Sequence, residues 1–159
     1  MHSVIILSHK APNFLQECLE SICNATIEGG NEVIVVNDGG PEEICRTVDG
    51  FTDRMAVRCI RNEKNMGISH SRNVGIEAAS GKYITIFADN YIIEKDHFIN
   101  KEFHLKHYDV VSSNIITIGK GLGSRAFNRY FQFVINSWKF RAEKTEHGFT
   151  GPGFPAGSG

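Results

Sequence analysis

Four short polar segments hold most of the side chains in this sequence that could do chemistry, and each one follows an apolar run. They are Ser8-His9-Lys10-Ala11-Pro12, Asn37-Asp38-Gly39-Gly40, Asn65-Met66-Gly67-Ile68 continuing into Ser71-Arg72-Asn73, and Ala88-Asp89-Asn90. Three of the four place a carboxylate, an amide or a glycine where a ligand could be met. Taken singly, each is ordinary turn chemistry, because Gly, Asn, Asp and Ser serve turns for local backbone reasons. Their importance depends on what positions them.

The runs that precede them are Ser3–Leu7 (SVIIL), Glu32–Val36 (EVIVV), Met55–Ile60 and Tyr83–Phe87 (YITIF). Short, β-branched and without a polar face, they read as strands buried on both sides. Between them, Pro12 opens a helical pattern through Phe14, Leu15, Cys18, Leu19 and Ile22, which Gly29-Gly30 breaks. Pro41 starts a short helix with Ile44 and Val48 inward. Ser69–Ala79 returns to helical spacing through Val74, Ile76 and Ala78. The order β-α-β-α-β-α-β predicts an α/β fold, a mostly parallel sheet with helices on both faces. Ligands of such sheets bind outside the carboxyl ends of the strands, where the strand order reverses. All four polar segments lie there.

Composition excludes several classes. The chain has 159 residues, 41% hydrophobic and 22% charged, with a formal net charge of −1. That balance describes one soluble globular domain. It is too even for a nucleic-acid-binding face and too apolar for a disordered chain. No apolar run approaches the ~20 residues of a membrane span, and Met1-His2-Ser3 lacks the basic flank of a signal peptide. Cys18, Cys23, Cys45 and Cys59 show no C-x-x-C pairing and read as small core residues of a reducing cytoplasm. His104 and His107 are spaced for a metal, but no third ligand accompanies them, so they read as a solvated helix face.

In order and spacing, the stretches SVIILSHK, EVIVVNDGG, NMGISHSRNVG and GKYITIFADN resemble the nucleotide-sugar-binding half of an inverting family-2 glycosyltransferase with the GT-A (Rossmann-like) fold. The family's corresponding motifs are S-V-I-I-P-T-Y-N, E-I-I-V-V-D-D-G-S, N-x-G…A-R-N-x-G and G-x-Y-I-x-F-x-D-x-D. The resemblance implies that Leu7, Ser8 and His9 line a base pocket and that Asp38, an acceptor-only carboxylate, takes an imide N–H of uracil or thymine. The competing reading of Asp38 is a cap on the helix near Pro41. Arg72 would clamp the diphosphate in bidentate fashion, aided by the helix N-terminus, with Gly67 as the tight-turn residue; its competing reading is a solvated surface arginine. Asn65 and Asn73 would pin the loop.

The D-x-D motif is where the sequence departs, since the family's carboxylates fall on Ala88 and Asn90 with Asp89 between. With one negative charge fewer in the site, the resemblance then implies either Mg or Mn held more weakly, by Asp89, Asn90 and the diphosphate, or binding without strong metal dependence. His9, Leu7 and Lys10 stand where the family has tyrosine, proline and asparagine. His9 can still stack on a base.

Beyond Asn90, Glu94–His107 reads as a helix with Phe98, Phe103 and Leu105 as partial core, and Tyr108–Ile118 as a strand. Gly119–Gly123 reads as a turn. Ser124–Arg141 has Phe127, Tyr130, Phe131, Val134 and Trp138 at helical spacing, and its charges are all basic. Such a helix either packs its aromatic face on the domain or makes peripheral contact with an anionic membrane. Gly148–Gly159 is similar to the glycine-rich stretch that precedes the family's general base. The resemblance therefore implies two regions, a nucleotide-sugar-binding domain over 1–118 and the start of an acceptor side over 119–159, with the catalytic base beyond this chain.

The activity implied is transfer of a sugar, with inversion, from a nucleotide diphosphate donor such as a UDP-sugar to a saccharide or lipid-linked acceptor. The setting implied is the cytoplasm, at the inner face of the membrane, with no nucleic-acid partner. The alternative is a non-catalytic nucleotide-binding relative with a degenerate D-x-D site. A nucleotidyltransferase would show a glycine-rich phosphate loop with a cation after the first strand, and SHKAP matches that poorly.

Overall fold

The structure is a computed structural model that describes residues 1–10 and 12–111, together with the backbone of 143–145 and 148–150. The chain divides into two units, Met1–Glu102 and Phe103–Gly159. In the first, β1 (His2–Ser8), α1 (Pro12–Cys23), β2 (Asn31–Asp38), α2 (Glu43–Asp49), β3 (Val57–Asn62), α3 (Ile68–Ala78) and β4 (Tyr83–Ala88) follow one another in strict alternation, and α4 (His97–Leu105) begins near its end.

The four strands form one parallel sheet in the order β3-β2-β1-β4. From β1 the chain winds outward to β2 and β3, then returns to place β4 on the other side of β1. The order reverses beside β1, which creates a crevice at the strand ends there.

The pleat separates two cores. Val4, Ile6, Val33 and Val35 point to one face, where Leu15, Cys18, Leu19 and Ile22 of α1, Ile44 and Val48 of α2, and Phe98 of α4 cover them. Ile5, Ile34 and Val36 point to the other face, against Val74 and Ala78 of α3. Each of these aliphatic side chains contributes about 1.5–3 kcal/mol when fully buried. α3 approaches closely because Gly75 faces Ile5, with which a Cβ at that position would collide.

Several sequence expectations change. Phe14 and Ile76, expected in the core, are exposed; α3 instead buries Ser71 and Gly75. Phe103 is 61% exposed, and α4 starts at His97 rather than Glu94. β2 and β3 each run two residues further than their apolar patterns, to Asp38 and Asn62, which brings Asn37, Asp38, Arg61 and Asn62 into the sheet. The strand expected over Tyr108–Ile118 is not formed over 108–111, and its remainder lies outside the described residues. The turn at Gly119–Gly123, the helix at Ser124–Arg141 and the boundary after residue 118 also lie outside them. In the second unit, β5 (Glu143–Thr145) and β6 (Gly148–Thr150) pair antiparallel, so the glycine-rich stretch opens with a strand.

The cysteine reading is corrected. Cys45 and Cys59 form a disulfide, while Cys18 and Cys23 are free. The crossover from β2 packs α2 beside β3, bringing the two Cα atoms to 5.5 Å, within the range a disulfide requires.

Candidate active site

A cleft of about 570 Å³ opens at the carboxyl ends of the strands, a size suited to a small-molecule ligand. Leu7, Ser8, His9, Asp38, Gly67, Arg72 and Asp89, the seven residues singled out for nucleotide binding, all line it. Lys10, Asn65, Ser71, Phe87 and Tyr91 complete much of the wall. Asn90 is not part of it.

Asp38 is the hub. Its Oδ1 accepts from Asn62 Nδ2 and from the Met66 backbone N–H, both at 2.8 Å, and its Oδ2 accepts from the Gly67 N–H at 2.9 Å. Burial alone pushes this carboxyl up, but the donors of Asn62, Met66 and Gly67 outweigh it and hold it down at about 2. The acceptor-only group is thus engaged by three protein donors, and Oδ2, which carries a single one, keeps a position for a further donor. The capping role is not realised, since α2 has Glu42 at its N-cap with no side-chain bond.

Asn37 closes the second loop instead. It is fully buried, its Oδ1 accepts from the Gly40 N–H at 2.7 Å, and its Nδ2 donates to the Pro41 carbonyl at 3.0 Å. An amide is needed because one end accepts and the other donates. Gly40 must be glycine, since a Cβ would collide with the His9 carbonyl. That contact brings the first and second loops together.

His9 Nδ1–H donates to the Asp38 carbonyl at 2.7 Å, so in the neutral ring Nε2 accepts from Asn65 Nδ2, 3.2 Å away. Asn65 Oδ1 accepts in turn from the Gly67 N–H at 3.0 Å. With both ring nitrogens engaged, the face of the imidazole is what remains for stacking. Gly67 has φ of 89° and begins α3; a side chain there would be strained.

Arg72, in the first turns of α3, is exposed, and among the described residues it forms no ion pair. Its fork is available to an anion in the cleft. Asp89 follows β4. Its N–H donates to the Leu7 carbonyl at 3.2 Å, and its Oδ2 accepts from Ser8 Oγ at 2.6 Å. Behind it, burial and then the Asp89 charge push the Cys18 thiol up to about 12, so it stays protonated.

Asp89 is the one carboxylate at the D-x-D position. Among the described residues, no three His, Cys, Asp or Glu come together as a metal-binding group. This donor set suits a hard cation that takes one or two protein oxygens and finds the rest on phosphates and water. It does not suit a cation held by protein alone.

The sequence pattern assigns no role to Asn37 or Asn62. The signal for both was a polar side chain just beyond an apolar run, where the ladder continues and buries Asn37 fully and Asn62 in part.

A doubly wound parallel sheet with its cleft at the point of strand reversal is an α/β ligand-binding domain. The family model described as "Glycosyl transferase family 2" matches residues 3–156, and the chain belongs to that family. Glycosyltransferase GlyG of Streptococcus pneumoniae serotype 4 is 27% identical over 145 residues, which is 89% of this chain and 46% of GlyG. The chain thus spans under half the length of that curated relative. Among solved structures, S. aureus TarS 1-349 in complex with UDP-GlcNAc matches with a TM-score of 0.61 at 22% identity, over 67% of this chain and 31% of that one. The mannosyltransferase PcManGT from Pyrobaculum calidifontis, in complex with GDP-Man and Mn2+, matches with a TM-score of 0.56 at 18% identity, over 60% and 29%. These likenesses establish the GT-A fold. Among the described residues, no helix is long and apolar enough to cross a membrane.

Proposed function

We propose that this chain carries the donor site of a glycosyltransferase, which receives a nucleotide diphosphate sugar in the cleft at the ends of β1, β2 and β4. The observation that carries this reading is the convergence of Asp38, Arg72 and Asp89 on one cleft from the end of β2, the start of α3 and the segment after β4. The base stacks on His9 beside Leu7 and Ser8, and its imide N–H, where it has one, competes for Asp38. Arg72 and the first turn of α3 take the diphosphate. UDP is the favoured nucleotide, supported by the UDP-GlcNAc complex of a protein with the same fold.

Asp89 would hold Mg or Mn on the diphosphate; the Asn90 amide, the second ligand implied by the resemblance, stands beside it in the chain but outside the cleft lining. That cation neutralises the leaving group's charge when bound. Inversion requires a general base aligned with the attacking hydroxyl. The cleft's two carboxylates, Asp38 and Asp89, are both engaged by protein donors, so we assign the base to the acceptor side. The acceptor is a saccharide or a lipid-linked saccharide at the cytoplasmic face of the membrane, with residues 124–141 as the contact. The region 1–118 serves the donor and 119–159 begins the acceptor side.

Calorimetry with UDP, GDP and CDP, each with and without Mn2+, tests the reading. Micromolar binding of UDP strengthened by Mn2+ is expected, and no binding of any nucleotide sinks it. Ala88 and the single carboxylate at the metal position favour one rival, a non-catalytic nucleotide-binding relative. Binding indifferent to Mn2+, without turnover of UDP-sugars, is its signature.

A further inference from the structure

Ser71 is 1% exposed although it lies in the first turn of α3 beside an open cleft. Its hydroxyl is met by Asn62, the last residue of β3. The two hydrogens of Asn62 Nδ2 are divided between Asp38 Oδ1 at 2.8 Å and Ser71 Oγ at 2.9 Å. The nitrogen end must face them, because an ionised carboxylate only accepts. Asn62 thus joins Asp38 of β2 to Ser71 of α3 from the end of β3.

We propose that Asn62 is a positioning residue of the donor site, setting the rotation of α3 and thereby the place of Arg72. The reasoning is geometric. A helix turns by about 100° per residue, so holding Ser71 against the sheet directs the next side chain, Arg72, to the cleft rim. One turn on, Gly75 shares the Ser71 stripe and is held sterically by Ile5. The rotation is therefore defined at two points, one polar and one steric, and Asn62 supplies the polar one. Val74 and Ala78 still anchor α3 on the apolar face, so loss of Asn62 frees the first turn without detaching the helix.

The inference rests on the reading of the cleft as a nucleoside diphosphate site, and a double-mutant cycle separates the two. UDP binding is measured for the wild-type protein, Asn62→Ala, Arg72→Ala and the double variant, with melting temperatures for each. Asn62→Ala is expected to weaken UDP about tenfold, the size of one hydrogen bond to a charged group. In the Arg72→Ala background the same change should cost no more than about twofold, because its effect runs through the arginine. Uridine, without phosphates, should lose less than UDP. An equal factor in both backgrounds, or an unchanged affinity, overturns the proposal while leaving the donor site intact. If Asn62→Ala does not fold, Ser71→Ala in the same cycle decides by the same criterion. Failure of the wild-type protein to bind UDP, GDP or CDP removes the functional reading, and this inference with it.

Discussion

Ser8 Oγ donates to Asp89 Oδ2 across 2.6 Å, joining residues 81 apart in sequence. The bond crosses from the end of β1 to the residue after β4, at the point where the strand order reverses. Together with the Asp89 N–H to the Leu7 carbonyl, it determines where the only carboxylate of the D-x-D position stands. Ser8→Ala should leave Asp89 less fixed, so the increase in UDP affinity brought by Mn2+ should fall several-fold. Asp89→Ala should abolish that increase. Calorimetry at matched UDP with and without Mn2+ reads both, and an undiminished Mn2+ effect in Asp89→Ala would remove Asp89 from the cation site.

The Cys45–Cys59 disulfide closes a loop across a sequence separation of 14. A cross-link of that size stabilises by about 3 kcal/mol by restricting the unfolded chain. Urea denaturation with and without dithiothreitol should show a loss of that order, matched by the Cys45→Ala/Cys59→Ala variant in either condition. Identical midpoints in oxidising and reducing buffer would mean the bridge does not form in solution.

Acid stability depends on two carboxylates at opposite ends of the sheet. Glu32 is held down at about 2 by the hydroxyls of Ser3 and Ser80, against burial, with the Ser80 N–H and Arg58 adding to them; Asp38 lies equally low in the cleft. Both folded values lie below the unfolded ones, so as pH falls the unfolded chain takes up protons first. Their contribution is complete above about pH 4–5 and disappears as pH falls toward 2. Glu32→Gln should lower the melting temperature at pH 7 and flatten its acid decline, with UDP affinity unchanged at temperatures where the variant is folded. A melting curve at pH 7 equal to wild type would exclude a stabilising role for the Glu32 hydrogen bonds.

His97 acts in a neighbouring window. Its ring packs against Phe87 and Phe98, with centroids 5.5 and 5.2 Å away, and its buried Nε2 has no partner among the described residues. Burial, and then the Lys101 charge, bring its pKa down to about 4 from 6.5. Between those values the unfolded chain binds a proton that the folded chain refuses, so stability falls as pH drops from 6.5 to 4. His97→Phe should remove that part of the slope; a slope unchanged from wild type would place the proton uptake elsewhere.

The sequence by itself determined the alternation of strands and helices, because β-branched runs and helical spacing are local patterns that report burial directly. It also located the four polar segments, since each follows such a run, and the resemblance they carry led to the family. Local pattern could not tell that Asn37 and Ser71 are buried and Asn62 half-buried: a polar side chain reads as loop or surface until its partners are known. Asp38 stood out in the sequence, but its donors come from β3 and the loop that follows it. The same holds for Ser8 with Asp89 and for Cys45 with Cys59. Each of these bonds depends on which strands lie side by side, and only the tertiary structure, by placing β4 and β2 on either side of β1, decided that.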